Sequence, residues 1–176
     1  MTVDIQQLLR GVENGTRDEI WEAAKELESV VLDVVQALTR LLRTGTTADT
    51  RAAAAYVLGF GRFASARTSL EAALENCDED ALVRGHAAEA LAYIQSRDSV
   101  DILVKHVEDN DPGVKYWCTF ALGQIGDAKA LPSLKQLAEH IGNQMYEQHS
   151  LRAEALDAIA AINNWTSSDQ NRQGTE

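Results

Sequence analysis

The sequence predicts an all-α fold: a right-handed α-solenoid of about four to five antiparallel helical hairpins. Three observations carry this. Four segments, 50–61, 83–94, 114–125 and 151–162, align without gaps, each with a basic residue in second place: Arg51, Arg84, Lys115 and Arg152. Those residues stand 33, 31 and 37 apart, a period that marks stacked units unable to bury their apolar faces alone. Finally, a second apolar stripe follows the first at fixed distance. Leu58 to Leu70, Leu91 to Leu103 and Leu122 to Leu134 are 12 residues each.

The first stripe of each unit has helical spacing, i, i+3, i+4 and i+7. It reads Ala54, Val57, Leu58, Gly61; Ala87, Ala90, Leu91, Ile94; Cys118, Ala121, Leu122, Ile125; and Ala155, Ala158, Ile159, Ile162. The second reads Arg67, Leu70, Ala73, Leu74; Val100, Leu103, His106, Val107; and Leu131, Leu134, Leu137, Ala138. Asp111-Pro112 fits an N-cap followed by proline at the first helical position. Gly126-Asp127 and 96–98 suit the turns within repeats, and 76–80 and 109–113 the turns between them.

Upstream, 17–47 reads as a degenerate first repeat, with Ile20, Ala23 and Leu27 on one stripe and Val34, Leu38, Leu41 and Leu42 on another. Residues 2–10 suit a short capping helix. The repeats then run over 48–80, 81–111 and 112–149, with a partial one at 150–165, giving a single domain over 1–165. Trp165 is placed to close the end of the stack, and the polar tail, 166–176, is expected to be disordered.

Composition narrows the function. The net charge is −11, which repels phosphate backbones and anionic membranes, so neither nucleic acid nor membrane is expected as a partner. No apolar run reaches the length of a membrane span, and the N-terminus lacks the pattern of a secretory signal. Cys77 and Cys118 form no CxxC pair, so a disulfide framework or zinc site is not expected, and a cytoplasmic setting is.

The run Val114-Lys115, Ala121-Leu122-Gly123-Gln124-Ile125-Gly126-Asp127 and Ala130-Leu131-Pro132-Ser133-Leu134 resembles the short HEAT-like repeat of phycobilisome lyases. The segment 84–103 matches the same template less fully. The resemblance covers about 17–163 and implies the solenoid fold, with the second helices lining its concave side. Deoxyhypusine hydroxylase, another protein with HEAT-like repeats, uses adjacent His-Glu pairs to hold a di-iron centre. Here Gly85-His86-Ala87 stands where such a pair belongs, and the chain has no His-Glu dipeptide. That activity is therefore not expected.

No Gly-rich phosphate loop, GxSxG element or catalytic cysteine signature occurs. Cys118 lies on the apolar stripe, and Asp78, Glu79 and Asp80 beside Cys77 oppose an activated thiolate. Of the histidines, His106 falls in a core column, His86 pairs with Glu89 at i+3 as a surface pair or a two-ligand patch, and His140 and His149 look solvated. Catalytic and metal-binding residues are expected to be absent, and no cofactor is expected.

Two features suit a partner. Glu75, Glu108 and Glu139 occupy one position of successive second helices and, with Asp101, would line an acidic groove. Tyr116, Trp117 and Phe120 sit outside the shared core, where they need cover or a partner; the insertion at 142–149 is one source of cover. The expected function is a non-enzymatic scaffold, adaptor or regulatory module that binds another protein with a basic segment. The alternative, implied by the resemblance alone, is a lyase-type or chaperone-type subunit acting on a bilin-carrying protein.

Overall fold

The computed structural model describes Gln7 and residues 16–173; the helix expected over 2–10 otherwise lies outside the described residues. The chain divides into two compact units, Met1–Ala37 and Leu38–Glu176, where one domain was expected. Helix α1 (Arg17–Thr44) starts in the first unit and ends in the second. The Glu19 carboxylate caps its start, accepting from the backbone N–H and hydroxyl of Thr16 at 2.7 and 2.8 Å.

Helix α1 corrects the expected hairpin over 17–47, being continuous for 28 residues. The two stripes assigned to separate helices form one series: 20, 23, 27, 30, 34, 38 and 41 keep steps of three and four. No glycine or proline interrupts them, so nothing ends the helix before Gly45.

The second unit is the solenoid. Its first helices are α2 (Ala48–Phe60), α4 (Ala81–Tyr93), α6 (Pro112–Ile125) and α8 (Leu151–Gln173). The second helices, α3 (Arg67–Glu75), α5 (Val100–His106) and α7 (Leu131–His140), are each entered through one 3-10 turn. The first helices pack in a row, α2 on α4, α4 on α6, α6 on α8. Each second helix makes its closest backbone approach to the first helix that follows it: α3 to α4, α5 to α6, α7 to α8. Leu58, Leu70, Leu74, Leu91, Leu103, Leu122 and Leu134 are all buried, so the leucine seam is the core. A two-stranded ladder, β1 (Met145–Tyr146) with β2 (His149–Ser150), is the one sheet among the described residues.

Side-chain caps fix where the first helices begin. Thr47 Oγ1 accepts from Thr50 N–H (3.1 Å), Asp80 Oδ1 from Leu82 N–H (2.9 Å), and Asp111 Oδ1 from Gly113 and Val114 N–H (2.8 and 3.1 Å).

Within the row, one small-residue column faces backward. Ala90 of α4 packs on Gly59 of α2, and Ala158 of α8 on Gly123 of α6. The equivalent residue of α2 is Val57, which the stripe placed in the core. It is 44% exposed, because α2 opens the row. At the other end α8 remains helical as far as Gln173, through positions expected to be disordered. Trp165 is half exposed, and its indole lies over Gly126, the left-handed cap of α6.

Candidate functional site

The first helices carry a continuous row of aromatic rings along their outer face. On α2, Phe60 stacks on Tyr56, with centroids 6.0 Å apart. Tyr56 meets His86 of α4 edge-on at 6.2 Å, and His86 stacks on Trp117 of α6 at 6.4 Å. Trp117 contacts Phe120 and Tyr116 edge-on at 5.7 and 5.2 Å. The β-hairpin finishes the row: Tyr146 and His149 lie 5.4 and 5.2 Å from Tyr116. The three aromatics expected to need cover thus share one surface, and the 142–149 insertion covers Tyr116.

Two carboxylates interrupt this apolar row. Glu89 is only 5% exposed. Its Oε2 accepts from His86 Nδ1 at 2.8 Å, and its Oε1 from the Tyr93 hydroxyl at 3.1 Å. Burial, followed by the charge of Glu89 and that hydrogen bond, raises the Tyr93 pKa. On α8, Glu154 lies beside the Tyr116 hydroxyl. Burial, followed by repulsion from Asp157, raises its carboxyl above the ordinary range, against the opposing pull of Tyr116 and His149. The Tyr116 hydroxyl rises too, through burial and then through Glu154, Tyr146 and Glu147.

A cleft of about 180 Å³ opens beside the row, lined by His86, Trp117, Tyr146 and Asp111 above Gly85 and Gly113. The glycines let the rings settle. A Cβ on Gly85 would stand 3.0 Å from Trp117 Cδ1, and one on Gly113 2.7 Å from Tyr146 Cε2.

The acidic column carries bonds between repeats. Lys105 reaches Glu75 at 3.2 Å, Lys129 reaches Asp101 at 2.6 Å, and the Gln136 amide donates to Glu108 at 3.2 Å. Each of these bonds joins one repeat to the next. Glu139 is exposed. The sequence did contain the His86–Glu89 spacing but read it as a surface pair. Its burial had no signal, because the equivalent positions, Tyr56, Phe120 and Asp157, vary in character.

A family model of HEAT repeats matches residues 68–153. That stretch is built of HEAT repeats. The chain is similar to deoxyhypusine hydroxylase-B of Oryza sativa subsp. japonica, 38% identical over 71 residues, or 40% of this chain and 24% of that protein. It is 40% identical to deoxyhypusine hydroxylase of Danio rerio over 70 residues, 40% of this chain and 23% of the relative. The Xenopus laevis enzyme is 36% identical over 91 residues, 49% of this chain and 30% of the relative. The chain therefore spans about a quarter of the length of these curated relatives.

Among solved structures, the complex of CpcE and CpcF of phycocyanin lyase from Nostoc sp. PCC7120 matches with a TM-score of 0.63 and 25% identity, over 74% of this chain and 53% of that one. An engineered protein matches with a TM-score of 0.57 and 22% identity, over 92% and 80%, and shows the fold alone.

These relatives correct the expectation of a non-enzymatic scaffold or adaptor: the three sequence relatives are enzymes. The expectation rested on missing motifs, and partial HEAT matches to enzymes do not depend on those motifs. Among the described residues no group of three or more His, Cys, Asp or Glu side chains converges as a metal would require. His86 and Glu89, the nearest pair, already bond each other. No helix among the described residues is long and apolar enough to cross a membrane.

Proposed function

We propose that the chain is part of an enzyme that modifies a protein, and that the ring row with Glu89 and Glu154 binds the side chain to be modified. The observation that carries this is the pair of carboxylates. Glu89 is nearly buried and held by His86 and Tyr93, and burial raises the carboxyl of half-buried Glu154. A carboxyl shifted by burial among aromatic rings is a candidate working group. The similarity to enzymes supports the reading, and the short span of the match implies that other chain segments or another protein complete the activity. A protein partner is consistent with the two-protein lyase complex that shares the fold. The free cysteines, Cys77 and Cys118, suit the reducing cytoplasm.

The test adds purified protein to an extract of cells lacking it and compares intact masses of the extract's proteins. A mass gain on one or a few proteins is expected, slowed about tenfold or more by Glu89→Gln or Glu154→Gln. A gain of one oxygen would identify a hydroxylation, and a gain of a tetrapyrrole a lyase reaction. No mass change with the wild-type protein overturns the reading.

A further inference from the structure

His86 is the one imidazole among the described residues that lines the cleft while its ring is held by a nearly buried carboxylate. Glu89 accepts from Nδ1, which fixes the tautomer: the proton sits on Nδ1 and the lone pair on Nε2. Tyr93 occupies the other oxygen of Glu89, so the carboxylate cannot swing away without losing a second bond. The imidazole is clamped between Tyr56 and Trp117, and its side chain is 28% exposed. Such an arrangement holds a ring in one orientation, as proton transfer requires.

We propose that His86 is the proton-transfer residue of this face, its Nε2 removing a proton from a hydroxyl, thiol or amine of a substrate side chain lodged in the cleft, with Glu89 as the positioning residue. The inference rests on the ring row being a substrate face. The step is a proton transfer alone. The X–H bond breaks, its electron pair stays on X, and the proton moves to Nε2, giving an imidazolium opposite the Glu89 carboxylate. The groups facing His86 are Glu89, and through it Tyr93, on α4, Tyr56 on α2 and Trp117 on α6, with Asp111 and Tyr146 across the cleft. None of the six is a lysine or arginine.

The probe is 4-nitrophenyl acetate, whose ester bond breaks when Nε2 deprotonates a water that attacks the carbonyl carbon, releasing acetate and nitrophenolate. The expected result is hydrolysis that His86→Gln lowers about tenfold or more, that Glu89→Gln lowers with a displaced pH profile, and that His140→Gln leaves unchanged. Histidine ring nitrogen NMR on the wild-type protein should show His86 protonated at Nδ1, a readout independent of any variant's folding. Hydrolysis by His86→Gln at the wild-type rate, or an Nε2–H tautomer, overturns the proposal. In the extract assay, a normal mass gain with His86→Gln overturns it while the enzymatic reading stands; absence of any gain with the wild type overturns that reading instead.

Discussion

Arg51 and Glu79 form a two-pronged ion pair across 28 residues, Nε to Oε2 at 2.8 Å and Nη2 to Oε1 at 2.7 Å. The same latch recurs with other chemistry: Arg84 binds Asp109, and Lys115 donates to Gln144 at 3.1 Å. In three of the four first helices, the basic residue near the start thus ties that helix to the loop after the second helix of its own repeat. The Arg51 hydrogen bond outweighs burial and holds the Glu79 carboxyl below its ordinary range. A depressed folded-state pKa contributes stability above the unfolded pKa, and that contribution disappears as pH falls through the folded value. Arg51→Gln is therefore expected to lower stability at neutral pH and to flatten the loss of stability between about pH 5 and pH 2. Urea unfolding across that range checks it; parallel wild-type and variant curves would refute it.

Gly59 lies where a Cβ would come within 2.6 Å of Ala90 Cβ, so α2 and α4 meet almost backbone to backbone. On an exposed helix Gly→Ala gains about 1 kcal/mol. Here the overlap reverses the sign, and Gly59→Ala should destabilise by about 1–3 kcal/mol. Gly123→Ala, whose Cβ would stand 3.0 Å from Ala158 Cβ, should cost less. Thermal unfolding of the two variants gives the order directly, and a stabilised Gly59→Ala would contradict the packing.

The fold was legible where one residue type had to do one thing in every repeat. The 12-residue leucine spacing located the seam because a leucine moved by one place would leave the core. The 17–47 hairpin failed because two stripes in phase are one helix, and only the missing breaker tells them apart. Val57 failed because a stripe does not say which helix opens the row. The site was half legible: Tyr116, Trp117 and Phe120 stood out as large side chains in columns of mixed character. Glu89 did not, because the equivalent positions, Tyr56, Phe120 and Asp157, vary in character. The acidic column was legible, but the bonds that Lys105, Lys129 and Gln136 make to it from the next repeat were not.

The turns after the first helices need one left-handed residue each: Arg62 at φ 53°, Gln95 at φ 51° and Gly126 at φ 74°. These positions are equivalent, and only the last is glycine. Gln95→Gly should raise stability by up to about 1 kcal/mol, relieving the side-chain clash of that conformation. Gly126→Ala should lower it by about 1–2 kcal/mol, because the same clash is created and the new Cβ approaches the Trp165 indole at 3.2 Å. Denaturant midpoints of the pair should move in opposite directions; a shared direction would show that turn strain is not the governing effect.

Glu154 carries the reverse linkage from Glu79. Burial raises its folded-state pKa, so its neutral form is favoured in the fold and its charged form opposed. Its contribution is present below the unfolded pKa and is lost as pH rises through the folded value. At neutral pH the charge must be carried into a half-buried position beside Asp157, which costs stability. Glu154→Gln removes that charge at nearly the same size and shape. Its Tm should therefore exceed the wild type's at neutral pH, and the advantage should shrink in acid, where the wild-type carboxyl is already protonated. Melts at about pH 7 and about pH 4 decide the matter. A variant less stable than wild type at neutral pH would mean that the Glu154 carboxylate is satisfied by its surroundings and is not held at the expense of the fold.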